Sequence, residues 1–302
     1  MSIVPTTRTS GHSVPLTLGA VAMASVGGSV AVSAELGDAP LFTAQAVRYA
    51  VAVLLLVGLA RVTGNRVLRP RGTEWLWLLA VAAVGLVLFN VALVRGAAHA
   101  EPAALGVAVA CVPVVLALVG PLLEGGRPTA RAVLAAAVVT AGAVLVQTGG
   151  RTDLAGLGWA ATVLACEVGF TLLAVPVLRR LGPWSVSVHT CWLATAQLVV
   201  LGTVTEGPAA VTALRAPHLL AIAYLAVVLT AIAFVLWYSA VGRLGTALAG
   251  LLTGVAPVAA AVVGVLLGAP LPGPAVWAGT AIVVAGLLTG VHLAPRAPSQ
   301  RH

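Results

Sequence analysis

The sequence predicts an all-α integral membrane protein whose ten transmembrane helices form two inverted five-helix repeats. Composition is the first reason. Hydrophobic residues make up 60% of the chain and charged residues 8%, with a mean hydropathy of +1.09. A soluble domain carries roughly a quarter charged residues, so this chain cannot build an aqueous surface and must be solvated by lipid. Repetition is the second. Ala110-Cys111-Val112-Pro113, running on to Gly120-Pro121-Leu122-Leu123, returns as Gly254-Val255-Ala256-Pro257, running on to Gly264-Val265-Leu266-Leu267, an offset of 144. The same offset carries Pro128 to Pro272, Ala141 to Ala285 and Gly142 to Gly286. The third is the placement of arginine, which sets a direction for each span.

A helix needs about 20 apolar residues to cross the hydrocarbon layer. Stretches of that kind fall at about 14–34, 41–60, 75–94, 103–123, 130–148, 154–177, 184–204, 217–240, 246–267 and 274–293. Turn-forming clusters separate them: Gly37-Asp38-Ala39-Pro40, Arg69-Pro70-Arg71-Gly72, Glu124-Gly125-Gly126-Arg127-Pro128, Gly207-Pro208 and Pro270-Leu271-Pro272-Gly273-Pro274. The polar joint Gly149-Gly150-Arg151-Thr152-Asp153 divides the chain into a first unit at 14–148 and a second at 154–293. Val32-Ser33-Ala34 resembles a signal-peptidase site. The apolar stretch before it is longer than the usual signal core, however, and cleavage would leave the first half one helix short. It is read as the first span.

All the basic residues except histidine are arginine. This bias, with the abundance of Ala, Val, Gly and Leu, points to a GC-rich, bacterial genome. With the N-terminus inside, Arg8, Arg61, Arg66, Arg69, Arg71, Arg127, Arg131, Arg179, Arg180, Arg243, Arg296 and Arg301 fall on the cytoplasmic side. Only Arg95, Arg151 and Arg215 fall outside, and Arg48 lies within a span. The positive-inside rule then predicts a multi-pass inner-membrane protein with both termini cytoplasmic. Five spans per half is an odd number, so the halves run in opposite directions. Inverted repeats are the pattern of secondary transporters, in which two near-equivalent arrangements exchange to give alternating access.

The formal charge of +8 does not signal nucleic acid, because the arginines are dispersed between apolar spans. Cys111, Cys166 and Cys191 sit in apolar segments without CxxC spacing, so buried inert thiols are expected and metal ligation is not. No cofactor is implied.

Glu167 is the most unusual residue, an acid near the middle of the sixth span. Ionised acids at that depth cost several kcal/mol, so Glu167 should face a cavity or a partner. It then qualifies to exchange a proton and couple solute movement to a gradient; the alternative is a protonated side chain packed between helices. Thr171, four residues on, shares its face. Arg48 is the matching cation, on a polar stripe with Gln45 and Tyr49. It suits an anionic substrate group or an empty-state pairing with Glu167; the rival reading is snorkelling to the outer headgroups. Ser25, with Ser29 and Gly27-Gly28, marks a small-residue face for helix packing with possible substrate contact. Asn90 suits either substrate binding or capping. Trp237 and Tyr238 fit an interfacial aromatic belt first and a cavity wall second. His189 reads as a satisfied polar side chain. Pro113 and Pro257, repeated in both halves, each remove a backbone hydrogen bond and mark kinks suited to gating.

Several segments together carry a family resemblance. Phe89-Asn90-Val91-Ala92-Leu93-Val94-Arg95, the run to Pro113 and Leu122-Leu123-Glu124, and the second copy from Trp237-Tyr238-Ser239 through Pro257 to Leu267-Gly268, resemble the EamA-type repeat of the drug/metabolite transporter superfamily. Arg48 stands where that family commonly places an arginine. One departure is visible: the family often ends the ninth span in Gly-Glu, whereas Gly268 is followed by Ala269-Pro270, leaving the acid only at Glu124. The resemblance implies a permease that exports small metabolites or amino-acid-like solutes, with a small-molecule substrate, the lipid bilayer and possibly protons as its partners. A flippase for lipid-linked sugars or a drug exporter is the alternative within transport. A membrane enzyme would need convergent acids, His or Ser at one depth, and only Glu167 lies deep. A scaffold would need a large soluble part. Neither is expected. The substrate path is expected between the halves, lined by helices one to four and six to nine, with the fifth and tenth helices peripheral.

Overall fold

The computed structural model describes residues 10–147, 151–268 and 271–293. Among them, nine helices are long and apolar enough to cross a membrane. These are α1 (Ser13–Ala34), α2 (Leu41–Val62), α3 (Glu74–Ala97), α4 (Pro102–Leu123), α6 (Leu154–Leu172), α7 (Val175–Thr205), α8 (Ala216–Leu244), α9 (Thr246–Leu266) and α10 (Pro274–His292). The shorter apolar helix α5 (Ala130–Val146) completes a set of five in each half. The chain is thus a multi-pass helical membrane protein of two repeats. The joint at Gly149-Gly150 lies outside the described residues.

One boundary differs from expectation. The sixth span was expected to run to 177, but α6 stops at Leu172 and α7 begins at Val175. Pro176 explains the break: it offers no N–H, and its ring opposes the carbonyl four residues back, at Leu172. α7 then bends at Gly182, whose φ of 72° is open to glycine, before Pro183 starts the long segment. The repeated prolines also coincide with breaks. α4 is interrupted at Cys111 just before Pro113, and α9 passes through a 3-10 turn at Leu252–Gly254 just before Pro257.

A second symmetry had no counterpart in the sequence reading. Val81–Leu88 in α3 and Leu225–Ile232 in α8 are both π-helical, and Leu225 stands 144 positions after Val81. Such segments are rare and cluster at functional sites.

Small residues bring the helices together. α5 and α10 pack along a glycine seam. A methyl on Gly142 would lie 2.7 Å from the Gly279 carbonyl, and one on Gly279 would lie 2.6 Å from the Gly142 carbonyl. Close backbone approach is how helices associate in lipid, where no hydrophobic force separates them from solvent chains. α1 crosses α9 still more tightly, since a methyl on Gly27 would lie 2.0 Å from the Ala256 carbonyl. Gly27→Val should therefore push the two halves apart, lowering the thermal midpoint of the purified protein by several degrees. Gly28→Val, where the nearest neighbour is a side chain at 3.5 Å, should be milder. Equal midpoints for the two variants would contradict the close crossing.

Two acids also staple the halves. Glu206, at the end of α7, accepts from the Phe42 and Thr43 backbone N–H groups and the Thr43 hydroxyl at 2.8, 2.9 and 2.7 Å. It caps the positive start of α2. Glu124, after α4, accepts from the Thr246 N–H at 2.7 Å and caps α9 in the same way.

Candidate functional site

The π segments and the broken helices enclose a cavity of about 310 Å³. Its walls come from α1, α2, α3, α4, α6, α8 and α9; among the described residues nothing comes from α5 or α10, and the seventh helix, expected in the wall, packs outside it. Its mouth lies between Ser33, Leu36, Gly37 and Leu41 on one side and Leu93, Val94 and Ala97 on the other. On the opposite membrane face α4 and α9 are in contact, a methyl on Gly120 falling 1.9 Å from the Thr246 hydroxyl. Among the described residues no comparable packing joins the Pro102 end of α4 to the Leu266 end of α9. The cavity therefore opens on one face only.

Arg48 lies deep in this space, 6% exposed. Its Nε donates to the Thr230 hydroxyl at 3.0 Å and its Nη1 to Gln45 Oε1 at 3.2 Å. The Thr230 hydroxyl in turn donates to the Leu225 carbonyl, five residues back, at 3.0 Å. That i to i−5 reach is the π turn put to use. The guanidinium carbon sits 5.0 Å from the Tyr49 ring centroid. Arg48 is thus held by neutral partners and an aromatic face, with the rest of its fork free for an anion. Snorkelling to the headgroups is overturned by this burial.

Glu167 and Thr171 line the same cavity from α6, with Thr171 accepting from Trp237 Nε1 at 3.1 Å. Among the described residues no hydrogen bond or ion pair engages the Glu167 carboxyl, and none links it to Arg48. An acid and a base therefore share one chamber without neutralising each other. Asn90 lines it too, donating to the Tyr49 hydroxyl at 3.2 Å and the Leu86 carbonyl at 2.6 Å.

Other expected residues are placed differently. Trp237 and Tyr238 are 3% and 0% exposed, so an interfacial belt does not describe them. Trp237 faces the cavity. The Tyr238 hydroxyl donates to the Phe170 carbonyl at 3.1 Å, and its ring packs 5.1 Å from Phe170, which lies 4.8 Å from Phe234. Phe170 and Phe234 line the cavity, and Tyr238 packs behind them. Ser25 is not among the lining residues: its hydroxyl is turned back onto the Val21 carbonyl at 2.9 Å, while α1 presents Met23, Val26 and Ser33. Pro113 and Pro257 sit at the breaks rather than in the wall. His189 is satisfied by the Leu68 carbonyl and Trp192 at 2.9 and 3.0 Å. Thr230, Phe170 and Phe234 were not singled out from sequence. Thr230 carried a signal, a lone polar group in the apolar run Leu225–Ile232.

A family model for the EamA-like transporter family matches residues 14–148 and again 154–290. The chain belongs to that family. It is a membrane transporter, and the EamA repeat accounts for both halves of the fold. The uncharacterized transporter YdeK of Bacillus subtilis (strain 168) is 29% identical over 208 residues, covering 67% of this chain and 70% of that one. A solved crystal structure superposes with a TM-score of 0.78 at 23% identity, covering 94% of this chain and 98% of the other, a likeness of fold. Within this EamA protein only the first repeat keeps its acid. Glu124 caps α9 on the closed face, and in sequence Gly268 is followed by Ala269-Pro270 rather than an acid.

The mouth is pinned from outside the membrane spans. Asp38, beside the mouth residue Gly37, pairs with Arg215 and accepts from His218 Nε2 at 3.0 Å. The His218 hydrogen bond and the Arg215 charge hold the Asp38 carboxyl below its ordinary value of 3.8. A depressed carboxyl stabilises above its unfolded value and loses that effect as pH falls through the lowered one. The Asp38 carboxylate therefore stays ionised at neutral and mildly acidic pH.

Proposed function

We propose that this transporter is a secondary active exporter of small metabolites of amino-acid-like, zwitterionic type, working by alternating access and coupled to protons through Glu167. The observation that carries the reading is the shared cavity, in which Arg48 and Glu167 face one space with no ion pair between them. A carboxylate suits the free fork of Arg48, and an ammonium suits Glu167. Tyr49, Phe170, Phe234 and Trp237 offer apolar and cation-binding faces to the rest of the solute. When the site is empty, a proton on Glu167 replaces the ammonium, so solute and proton compete for one group and move in opposite directions. The cavity volume suits a single small molecule rather than a lipid-linked sugar.

Asn90, Gln45 and Thr171 then orient the solute, and the breaks at Pro113 and Pro257 absorb the motion of α4 and α9. The bias of arginine supports an open face outside and both termini in the cytoplasm of a bacterial inner membrane. A reporter enzyme active only in the periplasm, fused after His302, should stay silent; strong activity reverses the orientation. The functional test is substrate-dependent proton movement in proteoliposomes. Loading with mixed amino acids should move protons opposite to the solute. Solute flux without proton movement removes the coupling, and no flux of any zwitterion removes the substrate class.

A further inference from the structure

A second cavity, of about 680 Å³, lies on the closed face beneath the aromatic layer. Glu124, Arg179, Tyr238, Ser239, Arg243 and Gly245 are among its walls. Tyr238 is shared: its ring closes this vestibule, and its hydroxyl reaches the Phe170 carbonyl on the central-cavity side. Arg180, next in the chain, is engaged by Glu74 and the Arg69 carbonyl. Among the described residues Arg179 and Arg243 have no such partner. Glu124, the acid among these described lining residues, accepts from the Thr246 N–H at the start of α9.

We propose that this vestibule is a binding site for a soluble organic anion, a carboxylate or phosphate, held by Arg179 and Arg243. Two free guanidinium groups in a concavity raise the local concentration of anions. The Glu124 carboxylate marks the spot where the helix start already favours negative charge. A solute anion seated between the arginines competes with Glu124 for that field. In the exporter reading proposed above, on which this role rests, the vestibule loads the solute's acidic end before it passes the Phe170–Tyr238 layer to Arg48. Anion binding itself is independent of that reading.

The test places a reporter thiol in the wall. Ser239→Cys in full-length protein, held in phosphatidylcholine nanodiscs, is labelled with methanethiosulfonate reagents of opposite charge, with the parent chain as background for Cys111, Cys166 and Cys191. The anionic reagent should react about tenfold faster than the cationic one. Inorganic phosphate should protect the thiol more than chloride at equal ionic strength, which separates a site from screening. Arg179→Gln with Arg243→Gln, both exposed positions, should erase the preference and the protection. Glu124→Gln, which keeps an acceptor for Thr246 but not the charge, should strengthen them. Equal rates for the two reagents, a preference that survives loss of both arginines, or protection by phosphatidylglycerol alone overturns the proposal. Labelling needs no transport, so failure here leaves the exporter reading standing, and success survives its loss.

Discussion

Glu167→Gln is expected to abolish gradient-driven accumulation while leaving solute binding measurable. Glutamine keeps the size and the hydrogen-bonding atoms of the side chain, but it cannot exchange a proton. In the proposed cycle, solute and proton alternate on this one carboxyl, so a group that never titrates stalls the return step. The cavity around it should be undisturbed, since the carboxyl makes no bond that holds a helix in place. Uphill transport under an imposed pH gradient should fall to background, whereas exchange of solute across the membrane without a gradient should persist. Wild-type uphill rates in purified Glu167→Gln would show the side chain to be packing, and coupling through it would be lost.

Arg48→Ala should weaken binding of an anionic or zwitterionic solute by about 10- to 150-fold, the size of a charged hydrogen bond of about 1.5–3 kcal/mol. A neutral solute should lose far less. Part of the loss arises from Gln45 and Thr230, whose oxygens would face the cavity without their donor. Arg48→Lys refines the test. It keeps the charge but not the fork, and a point charge cannot satisfy Gln45, Thr230 and a carboxylate together. Isothermal titration of the two variants should therefore rank wild type, Lys, then Ala. A lysine variant that binds as wild type would mean that charge alone matters, and equal affinity in all three would remove Arg48 from the site.

Much of the fold could be read from the chain because a membrane leaves few choices. Apolar stretches of span length, punctuated by Gly and Pro, located every helix. Repetition around Pro113 and Pro257 supplied the two-fold plan. The break after Leu172 was missed because the stretch 173–177 is apolar enough to extend the preceding span, and only the ring of Pro176 forbids it. The cavity was half legible. Glu167, Arg48, Gln45 and Asn90 stand out because polar groups in lipid-depth helices demand a reason. Trp237 and Tyr238 were misplaced because aromatic residues near a helix end serve belts and cores alike, and burial is decided by α6, a distant partner in sequence. Thr230 was passed over because a threonine can satisfy its own helix. Its role emerges only when α2 brings Arg48 beside it.

The paired π segments bear on what changes this protein can tolerate. Each one holds a wider turn within an otherwise regular span, and everything after it depends on that phase. Removing a single residue from Val81–Leu88 would turn the remainder of α3 by about 100°, carrying Asn90 away from Tyr49. The same loss in Leu225–Ile232 would swing Trp237 and Tyr238 out of the interior and into lipid. Length is thus as constrained as chemistry along these stretches. Two eight-residue stretches, aliphatic but for Thr230, must keep their count.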